Sequence, residues 1–430
     1  MKYYVLLILV TVLIDTIAHK FIKQRWILGL VYGVSSLVTI LLIWNIYYPS
    51  TSFPDFSDAY YPAGRQVLAN PSSLYNVLDG KNEYQGFVNI PILALLLTPF
   101  SFFTLDQARF LFTSLGVLAV VASYYFTLKL TNVYGWKRIL LLRFFIFNGP
   151  LYSSIALGNT THFILLLLIA AVFCIQTKRQ IWLGILLALS ALIKIPLFIL
   201  GVYYIIRGRW RVVMGFIAAL LAIVGASVLL FGVDLHLTWW QQCIQPSIGK
   251  PMPAYNVQSL DGFLVRIATN SNLVQAWKVV EVGWGFKIIR YALVSLLLGG
   301  SIWICWRSKP STTTELELEF SIFLCLALVI TPISWTHYYL FLLLPLSLWL
   351  GDRLLLPKGW LWFSLVVLSI VLTTPLVRPI ILPENPMLSF LMYKLLISHY
   401  FYGGVLLLGV LWATRWHTSI KASTPPNASK

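Results

Sequence analysis

The chain has 430 residues, of which 59% are hydrophobic, 15% aromatic and only 10% charged, with a mean hydropathy of +0.82. Soluble domains carry about 25% charged residues, so water is not its main solvent. The formal net charge is +17, but the cations stand in short clusters between apolar runs, which argues against a nucleic-acid partner and fits membrane topology.

In chain order, apolar stretches predict spans at Tyr3 to Ile17, Trp26 to Tyr48, Ala108 to Leu128, Ile139 to Leu157, Phe163 to Ile175, Ile181 to Ile193 and Leu197 to Ile206. Further spans follow at Val212 to Phe231, Trp284 to Trp306, Phe320 to Ile333, Tyr338 to Gly351, Trp360 to Thr374 and Lys394 to Trp412. The fold class is therefore all-α, a polytopic membrane protein of about 11–13 transmembrane helices with short interfacial helices between them. Several stretches fall short of the roughly 20 residues a free-standing span needs, and those must lean on neighbours. The first span carries its cations, Lys20, Lys23 and Arg25, after the apolar run, opposite to a signal peptide, and reads as a true span. The domain reading is one multi-span unit over 1–414, with extracytoplasmic loops at 49–107 and 233–283 and a cytoplasmic tail at 415–430. The cysteines, Cys174, Cys243, Cys305 and Cys325, are too scattered for a disulfide framework or a zinc site.

Orientation follows from the cations. Alternate loops hold Lys137 and Arg138, Lys178 and Arg179, Arg207, Arg209 and Arg211, Arg307 and Lys309, and Arg353 and Lys358, and the positive-inside rule makes them cytoplasmic. Asn427 of an Asn-Ala-Ser triplet then lies on the wrong side for glycosylation. The same assignment sends Pro49 to Gln107, Gly158 to Thr161, Asp234 to Glu281, Thr331 to His337 and Leu376 to Phe390 to the opposite face, where they converge on one site. Within the first of these, Val88 to Phe103 carries Pro91 and Pro99 and reads as a re-entrant or interfacial helix.

The richest stretch is Asp55 to Tyr75, DFSDAYYPAGRQVLANPSSLY. A partly desolvated carboxylate at a membrane edge suits a general base for a hydroxyl, while an Asp at a helix start is equally suited to capping and to the helix dipole.

This stretch, with SLY and the Pro91 to Pro99 segment after it, resembles the opening of the polyprenol-phosphate-mannose-dependent glycosyltransferases, glycosyltransferase family 87 of the GT-C superfamily. Further matches come in that family's order: GNTTHF at Gly158 to Phe163, with Asn159 where the family usually has Gln, ALIKIP at Ala191 to Pro196, NVQSLDGFLVR at Asn256 to Arg266, and SWTHYY at Ser334 to Tyr339. The second His often found after Trp-x-His is here Tyr338. The resemblance implies a GT-C fold and an inverting transfer of a sugar, most commonly mannose, from a polyprenyl-phosphate donor to a glycolipid or glycan acceptor, in the plasma membrane and facing away from the cytoplasm. It implies catalytic roles for Asp55 or Asp58 and for His337. It also implies substrate contacts from Tyr60, Tyr61, Arg65, Asn159, Lys194, Asn256, Ser259, Arg266 and Trp335.

Physical reasoning agrees: nucleotide sugars do not cross a bilayer, whereas a lipid-linked sugar can be flipped, and cations at the headgroup level suit its phosphate. Lys194, Arg266 and His337 are the candidates there, against snorkelling, loop-solvation and ordinary packing as the bland readings. Trp239, Trp240 and Trp284 read as an interfacial aromatic belt. The scheme needs no cofactor and no metal, although paired acids at Asp55 and Asp58 leave a divalent ion open. The alternative is a transporter or flippase for a lipid-linked sugar, which would show repeated halves; none is found.

Overall fold

A computed structural model describes residues 2–47, 53–75, 86–375 and 382–423. The end of the expected tail, Asn427 included, and parts of the loops at 49–107 and 376–390 lie outside those residues. Among them the regular structure is helical, apart from one isolated antiparallel bridge between Val257 and Trp335.

The chain begins with two long helices, α1 (Lys2–Phe21) and α2 (Arg25–Tyr47). Past a gap come a π-helical turn at Asp55–Tyr60, α3 (Tyr61–Ala69) and α4 (Pro91–Leu95), with a 3₁₀ turn at Thr98–Phe102. The expected interfacial segment is thus two short pieces that start at its prolines, since proline is accommodated in a first turn and not in a helix interior. A full-length helix, α5 (Leu105–Thr131), follows, opened by a capping box between Thr104 and Gln107.

The single span expected over Ile139 to Leu157 is broken into α6 (Trp136–Ile146) and α7 (Gly149–Ala156), bent by 43°. Pro150 denies α7 a continuous hydrogen-bond ladder, and the Asn148 side chain caps the new start by accepting from Leu151 N. Arg143 on α6 is buried and binds Asp15 of α1 through both Nε (2.6 Å) and Nη2 (2.7 Å), with Ser35 and Ser36 of α2 completing its donors. A charge inside apolar surroundings is tolerated only when paired and hydrogen-bonded like this.

Next come α8 (Thr161–Gln176), α9 (Gln180–Ile193), α10 (Phe198–Ile206) and α11 (Trp210–Trp239), whose regular geometry breaks at Gly232. Helices α9 and α11 pack backbone to backbone. A Cβ on Gly184 would stand 2.0 Å from Val212 O, and one on Gly215 would stand 2.3 Å from Ile181 O. Small residues at such a crossing are what lets helices associate where lipid removes the hydrophobic drive.

The second long loop carries α12 (Leu260–Ala268) and leads into α13 (Trp284–Trp306) and α14 (Thr313–Ile330). Every residue of α14 from Glu317 to Val329 is buried, so it forms the centre of the bundle, as a helix apolar all round must. Its two buried acids anchor cations of the neighbouring loops. Glu317 holds Arg353 and Gln176, while Glu319 holds Arg207, Arg415 and the Tyr203 hydroxyl. The chain closes with α15 (Leu343–Leu350), α16 (Trp360–Thr373), α17 (Pro386–Lys394) and α18 (His399–Ser423).

One expected boundary moves. The segment 415–430 is not a tail from its start: α18 continues to Ser423, and Arg415 is buried on Glu319. The polytopic all-α reading holds: among the described residues five helices, six with the bent pair, are long and apolar enough to cross a membrane, and five further apolar helices have only 10–17 residues. Those shorter helices, among them Thr161–Gln176 and Gln180–Ile193, are the stretches that depend on protein neighbours.

Candidate active site

The end of α7 holds the Asp55 turn in place. Leu157 O accepts from Asp55 N at 2.9 Å and from Phe56 N at 3.4 Å. Gly158 turns the chain away with φ +66, and a Cβ there would lie 2.6 Å from that of Phe56, so both conformation and space require glycine. Phe56 is clamped in turn between Phe100 and Phe112, with ring centroids 5.6 and 4.6 Å away. The carboxylate that follows from this clamp is fixed rather than free.

Asn159 is the centre of the polar network. Its Nδ2 donates to Asp55 Oδ2, while its Oδ1 accepts from Lys194 Nζ (2.9 Å), Thr161 N (3.0 Å) and Thr161 Oγ1 (2.7 Å). One amide therefore joins an acid from the first loop to a cation in the break between α9 and α10. Lys194 is buried, with its ammonium 4.8 Å from the Tyr338 ring centroid. Burial raises the Asp55 carboxyl above its ordinary range, partly offset by the Asn159 hydrogen bond and by Lys194. Burial lowers Lys194 to about 8, with Asp55 opposing the shift. Burial also pushes the Tyr60 phenol upward, so it remains a neutral donor.

These groups open onto a cavity of about 360 Å³. Its far wall is built by two loops zipped together: Val257 pairs with Trp335, Thr336 N donates to Asn256 O at 2.9 Å, and Gln258 N donates to Ser334 O at 2.6 Å. That zipper presents Asn256, Trp335 and His337 to the same space, and Trp277 Nε1 fixes the Asn256 side chain at 3.0 Å. His337 is buried, and neither ring nitrogen has a hydrogen-bond partner among the described residues. Unsatisfied buried polar groups are rare, and this imidazole, facing a cavity, has both nitrogens available to what enters it.

Of the residues singled out from sequence, Asp55, Asp58, Tyr60, Asn159, Lys194, Asn256, Trp335 and His337 line this cavity. Four stand apart from it. Arg266 is fully buried, but its guanidinium is spent on Ala254 O, Val257 O and Ser398 Oγ, so it organises the second loop rather than meeting a substrate. Ser259 caps α12 through Gly262 N and donates to Pro332 O. Tyr61 donates to Phe103 O, and Arg65 lies exposed 6.0 Å from the Tyr61 ring. Trp284 is 79% exposed, in keeping with a belt.

Sequence reasoning missed Tyr338, Tyr255, Trp277 and Asn89, which also line the cavity. Tyr338 was within reach as the neighbour of His337. Trp277 and Asn89 carry no local signal, because only the loop crossing brings them in. His162 stands close behind: its Nδ1 meets Ser154 Oγ at 2.9 Å and its Nε2 is turned toward Gly116.

Comparison with known proteins gives four likenesses. The model of glycosyltransferase family 87 matches residues 87–332. The polyprenol-phosphate-mannose-dependent alpha-(1-2)-phosphatidylinositol pentamannoside mannosyltransferase of Mycolicibacterium smegmatis is 26% identical over 355 residues, 78% of this chain and 80% of that one. The Mycobacterium tuberculosis protein of the same name is 24% identical over 230 residues, 51% of this chain and 48% of its own. Among solved structures, that of ArnT from Cupriavidus metallidurans bound to undecaprenyl phosphate covers 90% of this chain and 77% of its own, with a TM-score of 0.42 and 14% identity.

Proposed function

This chain belongs to glycosyltransferase family 87, and we propose that it transfers a mannosyl group from a polyprenyl-phosphate donor to a glycolipid or glycan acceptor at the extracytoplasmic face of the plasma membrane. The observation that carries this reading is the Asp55–Asn159–Lys194 chain of hydrogen bonds at the cavity wall. It supplies a base and a fixed cation held apart by one neutral amide. The donor and acceptor classes come from the names of the mycobacterial relatives.

Asp55 takes the proton of the acceptor hydroxyl as that oxygen bonds to the anomeric carbon. The bond from that carbon to the phosphate oxygen breaks, and polyprenyl phosphate leaves with one more negative charge. A single displacement inverts the anomeric centre. Lys194 and the unpartnered His337 stabilise the departing phosphate, one as a cation and the other as an N–H donor, in a site largely shielded from water. Tyr60 and Trp335 shape the sugar pocket. The scheme routes no step through a metal or cofactor. Asp58, one turn along and exposed, remains the second candidate base.

The test is transfer of radiolabelled mannose from polyprenyl-phosphate mannose by protein in proteoliposomes. Wild type should release polyprenyl phosphate and a glycosylated acceptor, and Asp55→Asn should lose about a hundredfold to ten-thousandfold in kcat. Asp58→Asn should lose far less. Intact donor moved across the bilayer without cleavage would replace this reading with transport. The orientation is tested separately with introduced cysteines: those near Ser72 and Asn256 should react with an impermeant thiol reagent in intact cells, and one near Gly208 should not.

A further inference from the structure

Helix α9 has Lys194 at one end and a second cavity, of about 490 Å³, at the other. The deep wall of that cavity is apolar, from Leu183, Val212 and Leu316. Its rim carries Lys178 and Arg209, and neither joins an ion pair among the described residues, whereas neighbouring Arg207 is fully engaged by Glu319. The N-terminal turn of α14, with Thr312 as its cap, closes one side.

Two details point to a ligand. Tyr204 is only 2% exposed and lines the cavity, yet its hydroxyl has no hydrogen-bond partner among the described residues, a deficit that an incoming acceptor oxygen would remove. Lys178 holds a left-handed conformation, φ 58, where glycine or asparagine would serve at less cost.

An apolar wall beneath two free cations and a buried free donor matches an amphiphile with an anionic head. We propose that this cavity binds an anionic phospholipid from the leaflet at that face, the cytoplasmic one in the orientation above. Its phosphodiester lies between Lys178 and Arg209 and accepts from the Tyr204 hydroxyl, and its acyl chain packs on Leu183, Val212 and Leu316. Basic pockets between helices on the cation-rich side of a membrane protein are suited to such headgroups. A free phosphate compound would use the cations and the hydroxyl but leave the apolar wall uncovered, so the lipid is favoured over it.

Native mass spectrometry of the detergent-solubilised full chain, titrated with phosphatidylglycerol, phosphatidylcholine or glycerol 3-phosphate, tests this. Phosphatidylglycerol should be retained as one tight adduct, and the other two should not. Lys178→Gln and Arg209→Gln should each weaken retention about fivefold, Arg209→Lys should largely restore it, and Tyr204→Phe should weaken it about twofold to tenfold. Equal retention of phosphatidylcholine, equal retention of glycerol 3-phosphate, or retention unchanged in both charge variants would each overturn the proposal. Transfer activity in lipid-free detergent should be the same for Lys178→Gln and wild type, since Lys178 lies far from the transfer site.

Discussion

Replacing Asn159 by Ala removes four hydrogen bonds at once, two of them to charged partners and two to Thr161. Bonds to charged groups contribute about 1.5–3 kcal/mol each, and the Lys194 ammonium has no other hydrogen bond among the described residues. Asp55 and Lys194 would then each drift from the position the amide imposes, and a displacement of about 1 Å at a reacting group can cost about a hundredfold. A fall in kcat of about a hundredfold is expected, with a smaller change in donor KM. The pH profile should move too. The Asn159 bond lowers the Asp55 pKa against burial, so its loss raises that pKa further and shifts the acid limb of the kcat profile to higher pH. Loss of the Thr161 contacts at the start of α8 should lower stability by about 1 kcal/mol. Asn159→Gln keeps the carboxamide and extends it by one methylene into the cavity, and should retain activity within about tenfold. Mannosyl transfer followed from pH 5 to 9 for wild type and both variants decides the matter. An alanine variant with wild-type kcat and an unmoved acid limb would reduce Asn159 to a helix cap and remove the link between acid and cation.

Three further outcomes follow from the same contacts. Lys194 must be protonated to hold the leaving phosphate, so activity should decline as pH rises through its pKa of about 8; Lys194→Arg, charged at all accessible pH, should abolish that alkaline limb, and a wild-type profile flat to pH 9.5 would refute the role. His337→Ala should reduce kcat by about tenfold to a hundredfold without lowering the thermal midpoint, because its ring nitrogens bond nothing among the described residues; a large loss of stability would mark it as structural. Glu319→Gln should destabilise the bundle by about 3–5 kcal/mol, since Arg207 and Arg415 would be left buried without a counter-charge, and unfolding of detergent-solubilised protein measures this directly.

The membrane-spanning character was legible because hydropathy acts over whole segments, and the cavity's motifs were legible because DFSDAYY, GNTTHF and SWTHYY hold chemistry close in sequence. Arg266 shows what was not. An arginine after Asp-Gly-Phe-Leu-Val reads the same whether it meets a phosphate or two backbone carbonyls, and only the fold of the second loop decides between them. Glu317 and Glu319 were hidden for the opposite reason. Their charge argues against a span before Phe320, yet three arginines and a tyrosine from distant segments neutralise them, so the central helix starts at Thr313. The bend at Asn148 lay in plain view as Asn-Gly-Pro, but apolar residues on both sides outweighed it.

The glycine contact between α9 and α11 bears on how turnover is possible. With the two backbones touching at Gly184 and Gly215, a slide or rotation of one helix against the other would press backbone into backbone, so α9 and the Lys194 at its end form the stiffer wall of the cavity. On the proposed role of Lys194, a donor brings its phosphate to the cation rather than the reverse. The stroke that admits substrate and releases product falls to the Asp55 side and to the zipped loops opposite, whose contacts are hydrogen bonds and ring edges that can open and reform.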